Sequence, residues 1–587
     1  DPADPTKKSA ADPADPTKKS AADPADPTKS SASPPMRATT DARSPRTSLG
    51  RVRDHLLVPV PATSLAIWRI AFGLLLAGNV LRYWQAGWIH DLFVAPRVMF
   101  PHWGFAWLPR PEATGVAILF GAVFVGGLAI ARGRHLRLAA AFTFVPFTWL
   151  ELLDRSTYLN HYYLVSLVLA LLAVLPSASR GEAPHERAVP RVTLFALRAQ
   201  VGLVYFFAGV AKLRADWLFE AEPLTTWLAR HTDAPLVGPL LDDRWVAFAA
   251  SWAGMLFDLS AVFLLLARRT RRFAFAVVVL FHLATAALFT LGLFPWLMMV
   301  NATLFFAPDW PSRVRDTIAK RRARASDAPS GSDLASESVV PSGARAPEGP
   351  RSNRVRLVVP LLGILAAHFA LQLALPFRQH LYAGDPLWHE QGFRFSWCVM
   401  LIEKTATLDL RVVDAEGRET IVHPREELTP LQLRMVPTQP DLVLAYAHHV
   451  RDRFEADGHG EVQVYADGFA SLHGRPRQRL VDPEVDLARE RDGLLDKPWI
   501  VPLRSPDTGR RQIAADVELH DPTRQSGSRS RQTGAHHPPV ASIHATSAPT
   551  TAIPNERPAA RSALLSASSE VTRASAAAGG RAPAARP

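Results

Sequence analysis

The sequence contains one cysteine, Cys398, among 587 residues. A single thiol excludes an intramolecular disulfide and the zinc sites that need several cysteines. The apolar segments contain no pair of histidines at i, i+4, and the sequence has no glycine-rich phosphate loop and no G-x-S-x-G turn. We therefore expect no dithiol chemistry, no nucleotide loop of this type, no serine-hydrolase nucleophile and no metal site.

The chain carries a moderate net positive charge. Lys and Arg total 66 against 54 for Asp and Glu, which gives a formal net charge of +12. Most of the excess falls in short arginine-rich breaks between apolar runs and in the tails. This distribution is typical of membrane topology signals, so we predict a lipid bilayer as the partner of the chain and no nucleic acid.

The two ends of the chain are polar and of low complexity. Residues 1–33 are three variations on DPADPTKKSAA, and the chain from about residue 507 is rich in Ser, Ala, Pro, Arg and Thr. Such compositions cannot bury enough apolar surface to fold, so both ends are predicted to be disordered.

Between the ends, several apolar runs approach the roughly 20 residues that a bilayer crossing needs. They lie at residues 65–84, 113–131, 136–153, 162–176, 192–213, 245–267, 273–291, 293–307 and 355–376. Two of them are short, so eight or nine spans are predicted. The arginine-rich breaks precede the first span and follow the second, fourth, sixth and eighth, all on one side. The positive-inside rule then predicts a multi-pass cell-membrane protein with a cytoplasmic N-terminus.

The chain after the last span has a different pattern. TLDLRVVDAEGRETIVHP and EVQVYADGFASLH alternate apolar and polar residues, as half-buried strands do. The predicted fold is thus an α-helical integral membrane bundle followed by an extracytoplasmic β-rich domain. Its predicted parts are a tail (1–50), a transmembrane core (51–310), a cytoplasmic linker (311–354), a last span (355–378), the β-rich domain (379–505) and a second tail (506–587).

Three ionisable residues interrupt the predicted spans. Lys212 ends the fifth span, three residues after Gly209 and seven after Tyr205, so these three lie near one helical face. Asp258 and His282 lie within the sixth and seventh spans, where ionisable groups are costly and usually face the bundle interior. Lys212 is either a lysine snorkelling at a helix end or a lysine in an apolar cavity whose neutral amine can act as a base.

Asn160 and His161 lie in the loop DRSTYLNHYYL, at the mouth of the fourth predicted span. Polar residues among interfacial tyrosines are also expected of an ordinary aromatic belt. Considered with Lys212, Asp258 and His282, they instead suggest a polar pocket within an apolar bundle.

Four blocks resemble the vitamin K-dependent gamma-carboxylases and their bacterial relatives, which share the horizontally transferred transmembrane (HTTM) domain. The blocks are LNHYYL (159–164), VYFFAGVAKLRADW (204–217), the pair DLSAVFLLL (258–266) with FHLATAALFTLGLFPWLMM (281–299), and LYAGDPLWHEQGFRFSWCVML (381–401). The A-G-V-x-K-L-x-A-D-W motif is the most specific of them.

The resemblance implies an enzyme that uses reduced vitamin K or menaquinol, O2 and CO2 to carboxylate glutamate in a peptide or protein, forming quinone epoxide. Lys212 matches the lysine that deprotonates the hydroquinone, and His161 matches a histidine of the quinone site. The further candidates that the resemblance implies are Asn160, Tyr205, Gly209, Asp258 and His282 for the cofactor, and Trp397 and Met400 for the substrate.

The sequence departs from the family pattern at several positions. Ala211 and Arg214 replace a lysine and an acidic residue, and Cys398 and Val399 replace an acidic residue and a methionine. Two other functions are therefore considered: a quinol oxygenase without carboxylation, and a non-catalytic quinone-binding or lipid-binding membrane protein.

Overall fold

The computed structural model describes residues 48–177, 187–326 and 351–504. Both predicted disordered tails lie almost wholly outside these described residues, as does the middle of the predicted cytoplasmic linker. The first part of that linker forms a helix, Trp310–Ser326.

The first two described ranges and the start of the third are almost entirely helical. The helices are α1 (Ser48–Leu57), α2 (Thr63–Gln85), α3 (Trp88–Phe93), α4 (Ala113–Arg132), α5 (Leu136–Leu153), α6 (Asn160–Val174), α7 (Arg191–Ala211), α8 (Ala215–Phe219), α9 (Leu224–Leu228), α10 (Arg244–Leu266), α11 (Arg271–Leu288), α12 (Phe294–Ala302), α13 (Trp310–Ser326) and α14 (Arg351–Ala374). Two three-residue strands, β1 (Pro59–Pro61) and β2 (Ala188–Pro190), pair antiparallel where α2 and α7 begin.

In the described part of the chain, six helices are long and apolar enough to cross a membrane. They are Thr63–Gln85, Ala113–Arg132, Arg191–Ala211, Arg244–Leu266, Arg271–Leu288 and Val359–Leu381. The predicted count of eight or nine spans is therefore not confirmed. The fourth and eighth predicted spans correspond to the shorter apolar helices Asn160–Val174 and Phe294–Phe305. Both are shorter than the roughly 20 residues of a full crossing.

One end of the bundle gathers the arginine-rich breaks, and we call it the basic end. Here the hydroxyl of Thr63, at the start of α2, donates to the carbonyl oxygen of Pro308, 2.9 Å away. Arg69 Nη1 donates to the carbonyl oxygen of Ile130 in the last turn of α4, 2.8 Å away. Neighbouring helices run in opposite directions, so the first turns of some helices and the last turns of others lie at this end. These hydrogen bonds connect them.

The C-terminal region contains the predicted sheet. Its elements are α15 (Pro386–His389), β3 (Lys404–Val413), β4 (Glu419–Val422), α16 (Pro430–Met435), α17 (Pro440–Ala456), β5 (Gln463–Leu472) and β6 (Gln478–Arg479). The antiparallel strand order is β4-β3-β5-β6. Alternate residues of β5 are buried, including Val464 and Leu472, and α17 packs on this strand. The sheet is confirmed, and the region around it mixes helices with strands.

A buried ion-pair network joins the C-terminal region to the bundle. Arg155, between α5 and α6, donates through Nη1 to Asp441 Oδ2 at 3.1 Å and to Asp492 Oδ2 at 3.0 Å. Arg394 also donates to Asp441. Burial alone would raise the pKa of Asp441, but the guanidinium groups of Arg394 and Arg155 hold this pKa well below its usual range. The network fixes the C-terminal region against the end of the bundle opposite the basic end.

Candidate functional site

A mostly apolar cavity of about 250 Å³ lies between α7, α10 and α11, near the end of the bundle that contacts the C-terminal region. Four polar side chains that the sequence analysis singled out line its wall together, namely Lys212, Asp258, Tyr205 and His282. Val399 and Met400 of the C-terminal region complete the lining. The cavity is therefore built jointly by the membrane bundle and the segment that leads into the sheet.

Lys212 is buried, with 5% of its surface exposed. Its Nζ donates to Asp258 Oδ2 at 2.8 Å, to the carbonyl oxygen of Ala208 at 3.2 Å and to that of Val399 at 3.4 Å. The ring of Trp217 lies 5.2 Å from the same nitrogen. Three acceptors therefore surround the amino group, which has two N–H donors and a lone pair when neutral and three N–H donors when protonated. The geometry is that of an enclosed lysine rather than a snorkelling one.

Gly209 sets the distance between the helices that carry Lys212 and Asp258. A Cβ atom at Gly209 would lie 2.7 Å from the backbone nitrogen of Leu259 in α10. Real Cβ atoms do not approach so closely, so only glycine permits this crossing of α7 and α10. Gly209 does not line the cavity, and its part in the site is to let the two helices approach.

Tyr205 and His282 form a second polar pair at the cavity wall. The Tyr205 hydroxyl and His282 Nε2 are 3.1 Å apart, and either can be the donor, depending on the tautomer of the imidazole. His282 is 1% exposed, and its Nδ1 has no hydrogen-bond partner among the described residues. A buried polar atom without a partner is costly. The Nδ1 atom of His282 is thus available to form a hydrogen bond with a bound molecule.

His161 lies outside this cavity. Its ring centroid is 5.8 Å from that of Phe294, which in turn is 5.7 Å from the ring of His282. Phe294 therefore contacts both histidines. Asn160 Nδ2 donates to the carbonyl oxygen of Cys398, 3.0 Å away. Asn160 thus anchors the segment that closes the cavity.

The closing segment, residues 395–400, has an unusual backbone. Phe395, Trp397 and Met400 have positive φ angles of 66°, 58° and 55°, in the left-handed region that non-glycine residues rarely adopt. Trp397 is fully buried and stacks on Tyr163 at 4.9 Å, while Met400 lines the cavity. Strained backbone of this kind tends to occur at functional sites. In this segment the backbone conformation places the Val399 carbonyl oxygen 3.4 Å from Lys212 Nζ.

Several lining residues were not singled out by the sequence analysis. They include Phe281, Phe289, Phe294 and Met298. These residues form part of the apolar wall, and in the sequence nothing distinguishes them from the other apolar residues of the predicted spans. Trp217 was visible as part of the A-D-W motif, and its indole nitrogen donates to the carbonyl oxygen of Ser251 at 2.8 Å.

Comparisons with known proteins cover both parts of this architecture. The family model described as HTTM domain matches residues 58–310, and the one described as Vitamin K-dependent gamma-carboxylase, lumenal domain, matches residues 359–506. No solved structure matches the chain significantly. The first match spans the helices that form the cavity, and the second spans the closing segment and the sheet. The chain belongs to the vitamin K-dependent gamma-carboxylase family.

Proposed function

We propose that this protein is a membrane gamma-carboxylase that uses reduced vitamin K or menaquinol, O2 and CO2 to carboxylate glutamate side chains of a peptide, releasing quinone epoxide. The observation that carries the proposal is the enclosed amine of Lys212, bonded to Asp258 in an apolar cavity. Membership of the carboxylase family supports the same chemistry.

The cavity fits a quinol ring in its chemical character. Ligand sites are typically apolar and contain a few precisely placed polar side chains. This cavity has two polar pairs, Lys212 with Asp258 and Tyr205 with His282, in an otherwise apolar wall. Lys212 and His282 are the residues that would hold the two ring oxygens, and the unpartnered Nδ1 of His282 leaves capacity for that bond. When bound, the quinol supplies with O2 the strong base that can remove a glutamate γ-proton.

Lys212 is proposed as the base: in its neutral form Nζ has a free lone pair, and this lone pair takes the proton from the quinol hydroxyl. The carboxylate of Asp258, 2.8 Å away, stabilises the ammonium that results, because opposite charges attract strongly where water is excluded. The carbonyl oxygens of Ala208 and Val399 accept from the same nitrogen and hold it at the cavity wall. Lys212 and Asp258 then act as one proton-holding unit.

The apolar wall is proposed to keep water out. Phe281, Phe289 and Phe294 line the same cavity as Lys212. A base strong enough to act on a glutamate γ-proton would be quenched by water, so its site must be dry. His161 is proposed to act from outside the cavity, next to Phe294, and Met400 to face the peptide where the closing segment meets the cavity. Trp397, fully buried against Tyr163, would hold that segment in place.

The orientation follows from the arginines. The basic end carries the cationic breaks, and the C-terminal region contacts the opposite end through Arg155 and Asp441. Under the positive-inside rule the basic end and the N-terminus are cytoplasmic, and the C-terminal region is extracytoplasmic. A peptide substrate would then reach the cavity from outside the cell membrane.

A quinol oxygenase without carboxylation is the second candidate, and Cys398 favours it. The position that is acidic in the family pattern is here a buried thiol bonded to Gln379 Oε1 at 3.5 Å. No charge is offered to a substrate from that position.

The experiment that tests the proposal supplies membranes with reduced vitamin K, O2, labelled bicarbonate and a glutamate-rich peptide. Wild type is compared with Lys212→Ala, and Lys320→Ala, an exposed lysine on α13, is the matched control. Epoxide and fixed label, both lost only in Lys212→Ala, support the carboxylase. Epoxide without fixed label supports the oxygenase, and neither product in the wild type supports a non-catalytic binding protein.

A further inference from the structure

A second and larger cavity, of about 760 Å³, lies at the basic end of the bundle. Its lining contains five arginines, Arg198, Arg268, Arg271, Arg272 and Arg313, against one carboxylate, that of Asp309. Arg198 is fourteen residues before Lys212 on α7, or about 20 Å away at the α-helical rise. This cavity, which we call the arginine pocket, is therefore separate from the candidate active site.

Three of the five guanidinium groups have structural partners. Arg198 donates to the carbonyl oxygens of Leu304 and Phe306 at 2.7 and 2.8 Å. Arg271 donates through Nε to the carbonyl oxygen of Leu265 at 2.7 Å, and Arg313 pairs with Asp309, also at 2.7 Å. These interactions connect the ends of neighbouring helices and hold the lining of the pocket in place.

The other two guanidinium groups are free. Arg268 and Arg272 are exposed, and neither has a hydrogen bond or an ion pair within the described ranges. Each presents five N–H donors in a planar fork, the geometry that matches phosphate oxygens. The pocket thus has an excess of positive charge and of unused donors.

A third side chain of the arginine pocket also has a donor without a partner among the described residues. The indole Nε1 of Trp310 is buried and has no acceptor in the part of the chain that the structure describes. Indole N–H groups normally find a partner when they are buried. A ligand with several acceptor oxygens would satisfy Trp310, Arg268 and Arg272 together.

An apolar groove of about 440 Å³ adjoins the arginine pocket and shares Trp310 and Val314 with it. Ile67 and Ile318 also line this groove and are 43% and 47% exposed. Trp310, Val314 and Ile318 recur at i, i+4 and i+8 on α13, so this basic helix presents one apolar stripe, as helices at a membrane surface do. The groove offers an apolar path that begins at the pocket.

We propose that the arginine pocket binds an anionic phospholipid, with the headgroup phosphate among Arg268, Arg272 and Trp310 and an acyl chain along the adjoining groove. The positive-inside rule accounts for arginines on this side of the membrane. It does not require five of them to converge on one pocket beside an unpaired indole N–H and an apolar groove. Basic pockets between helices at a membrane surface are known to select charged headgroups.

The test titrates the full-length protein, purified in mild detergent, with phosphatidylglycerol or phosphatidylcholine and counts bound lipid by native mass spectrometry. The variants are Arg268→Gln with Arg272→Gln, and separately Trp310→Phe. The matched control is Arg134→Gln with Arg269→Gln, which removes the same charge from exposed loops of the same end but outside the pocket. A further arm adds inorganic phosphate as a competitor.

We expect wild type and control to bind phosphatidylglycerol equally, and the Arg268 and Arg272 double variant to bind it about tenfold more weakly. Trp310→Phe, which keeps the ring and removes the N–H, should also weaken phosphatidylglycerol binding, and phosphatidylcholine should bind weakly throughout. An equal loss in the control would overturn the proposal, because general surface charge would then explain binding. Displacement of the lipid by phosphate at comparable concentrations would also overturn it, in favour of a small-anion site.

Discussion

Lys212 and Asp258 meet at 2.8 Å across the crossing of α7 and α10, although 46 positions separate them in the sequence. The two groups are charge partners inside an apolar cavity, so the removal of either leaves the other without its counter-charge. Their proximity depends on Gly209, which allows the two helices to approach. The proposed chemistry rests on this single relationship.

The Asp258→Asn variant should distinguish the effect of the negative charge of Asp258 from the effect of its hydrogen bond with Lys212. The amide oxygen can still accept a bond from Lys212, but it cannot stabilise an ammonium as a carboxylate does. We expect epoxide formation from reduced vitamin K to fall by about two orders of magnitude or more, with little change in quinone binding. Asp243→Asn, an exposed carboxylate just before α10, is the control. Full activity in Asp258→Asn would show that the pair has no role in the reaction.

Gly209→Ala should damage the helix crossing. The added methyl group would meet the backbone of Leu259, which cannot move away without shifting α10. We expect a loss of about 1–3 kcal/mol of stability, and a lower rate of epoxide formation because Lys212 and Asp258 move apart. Thermal unfolding in detergent measures the first effect. Gly121→Ala on α4 is the control, because nothing lies within 4 Å of its added Cβ atom. Equal unfolding temperatures for the two variants would contradict this account of the crossing.

Asp216 should make the contact between α8 and the end of β5 sensitive to acid. A hydrogen bond with His473 Nδ1 at 3.2 Å and, despite burial, the charge of Arg475 lower the pKa of Asp216 from 3.8 to about 2. The folded state therefore favours the carboxylate over its protonated form more than the unfolded state does. The resulting stability is present above about pH 4 and is lost as the pH falls towards 2.

Asp216→Asn should therefore lower the unfolding temperature at pH 7, and its difference from wild type should shrink between about pH 4 and pH 2. Asp457→Asn, an exposed carboxylate after α17, serves as the control and should show no such trend. A difference that stays constant over the whole pH range would mean that the charge of Asp216 is not what stabilises the contact.

The ionisable residues of the cavity, Lys212, Asp258 and His282, were predictable because each interrupts an apolar run, and such residues usually face the bundle interior. The alternation of β3 and β5 likewise predicted the sheet. The span count is not confirmed, because helices such as α6 and α12 are apolar but short, and apolarity alone does not distinguish a buried helix from a crossing one. Arg155 and Asp441 lie 286 positions apart, so no local pattern could reveal their contact. The contact of Phe294 with His161 is equally non-local.

Cys398 should be a specific reporter of the closing segment. Burial raises the pKa of its thiol to about 12, so the group is protonated and enclosed at neutral pH. We expect a maleimide to label the native protein slowly and the denatured protein quickly, and no other cysteine contributes to the signal. Asn160→Ala removes the bond to the Cys398 carbonyl oxygen and should speed native labelling. Native labelling as fast as that of the denatured chain would contradict the enclosed position of this thiol.

The most direct test of the central claim measures quinone binding and epoxide formation in the same samples of wild type and Lys212→Met, a substitution that keeps an apolar side chain of similar length. The account predicts quinone binding weakened by no more than about tenfold, because one hydrogen bond is lost while His282 and the apolar wall remain. It predicts epoxide formation reduced by about three orders of magnitude, because the base is lost. Epoxide formation at the wild-type rate in Lys212→Met would contradict the assignment of Lys212 as the base.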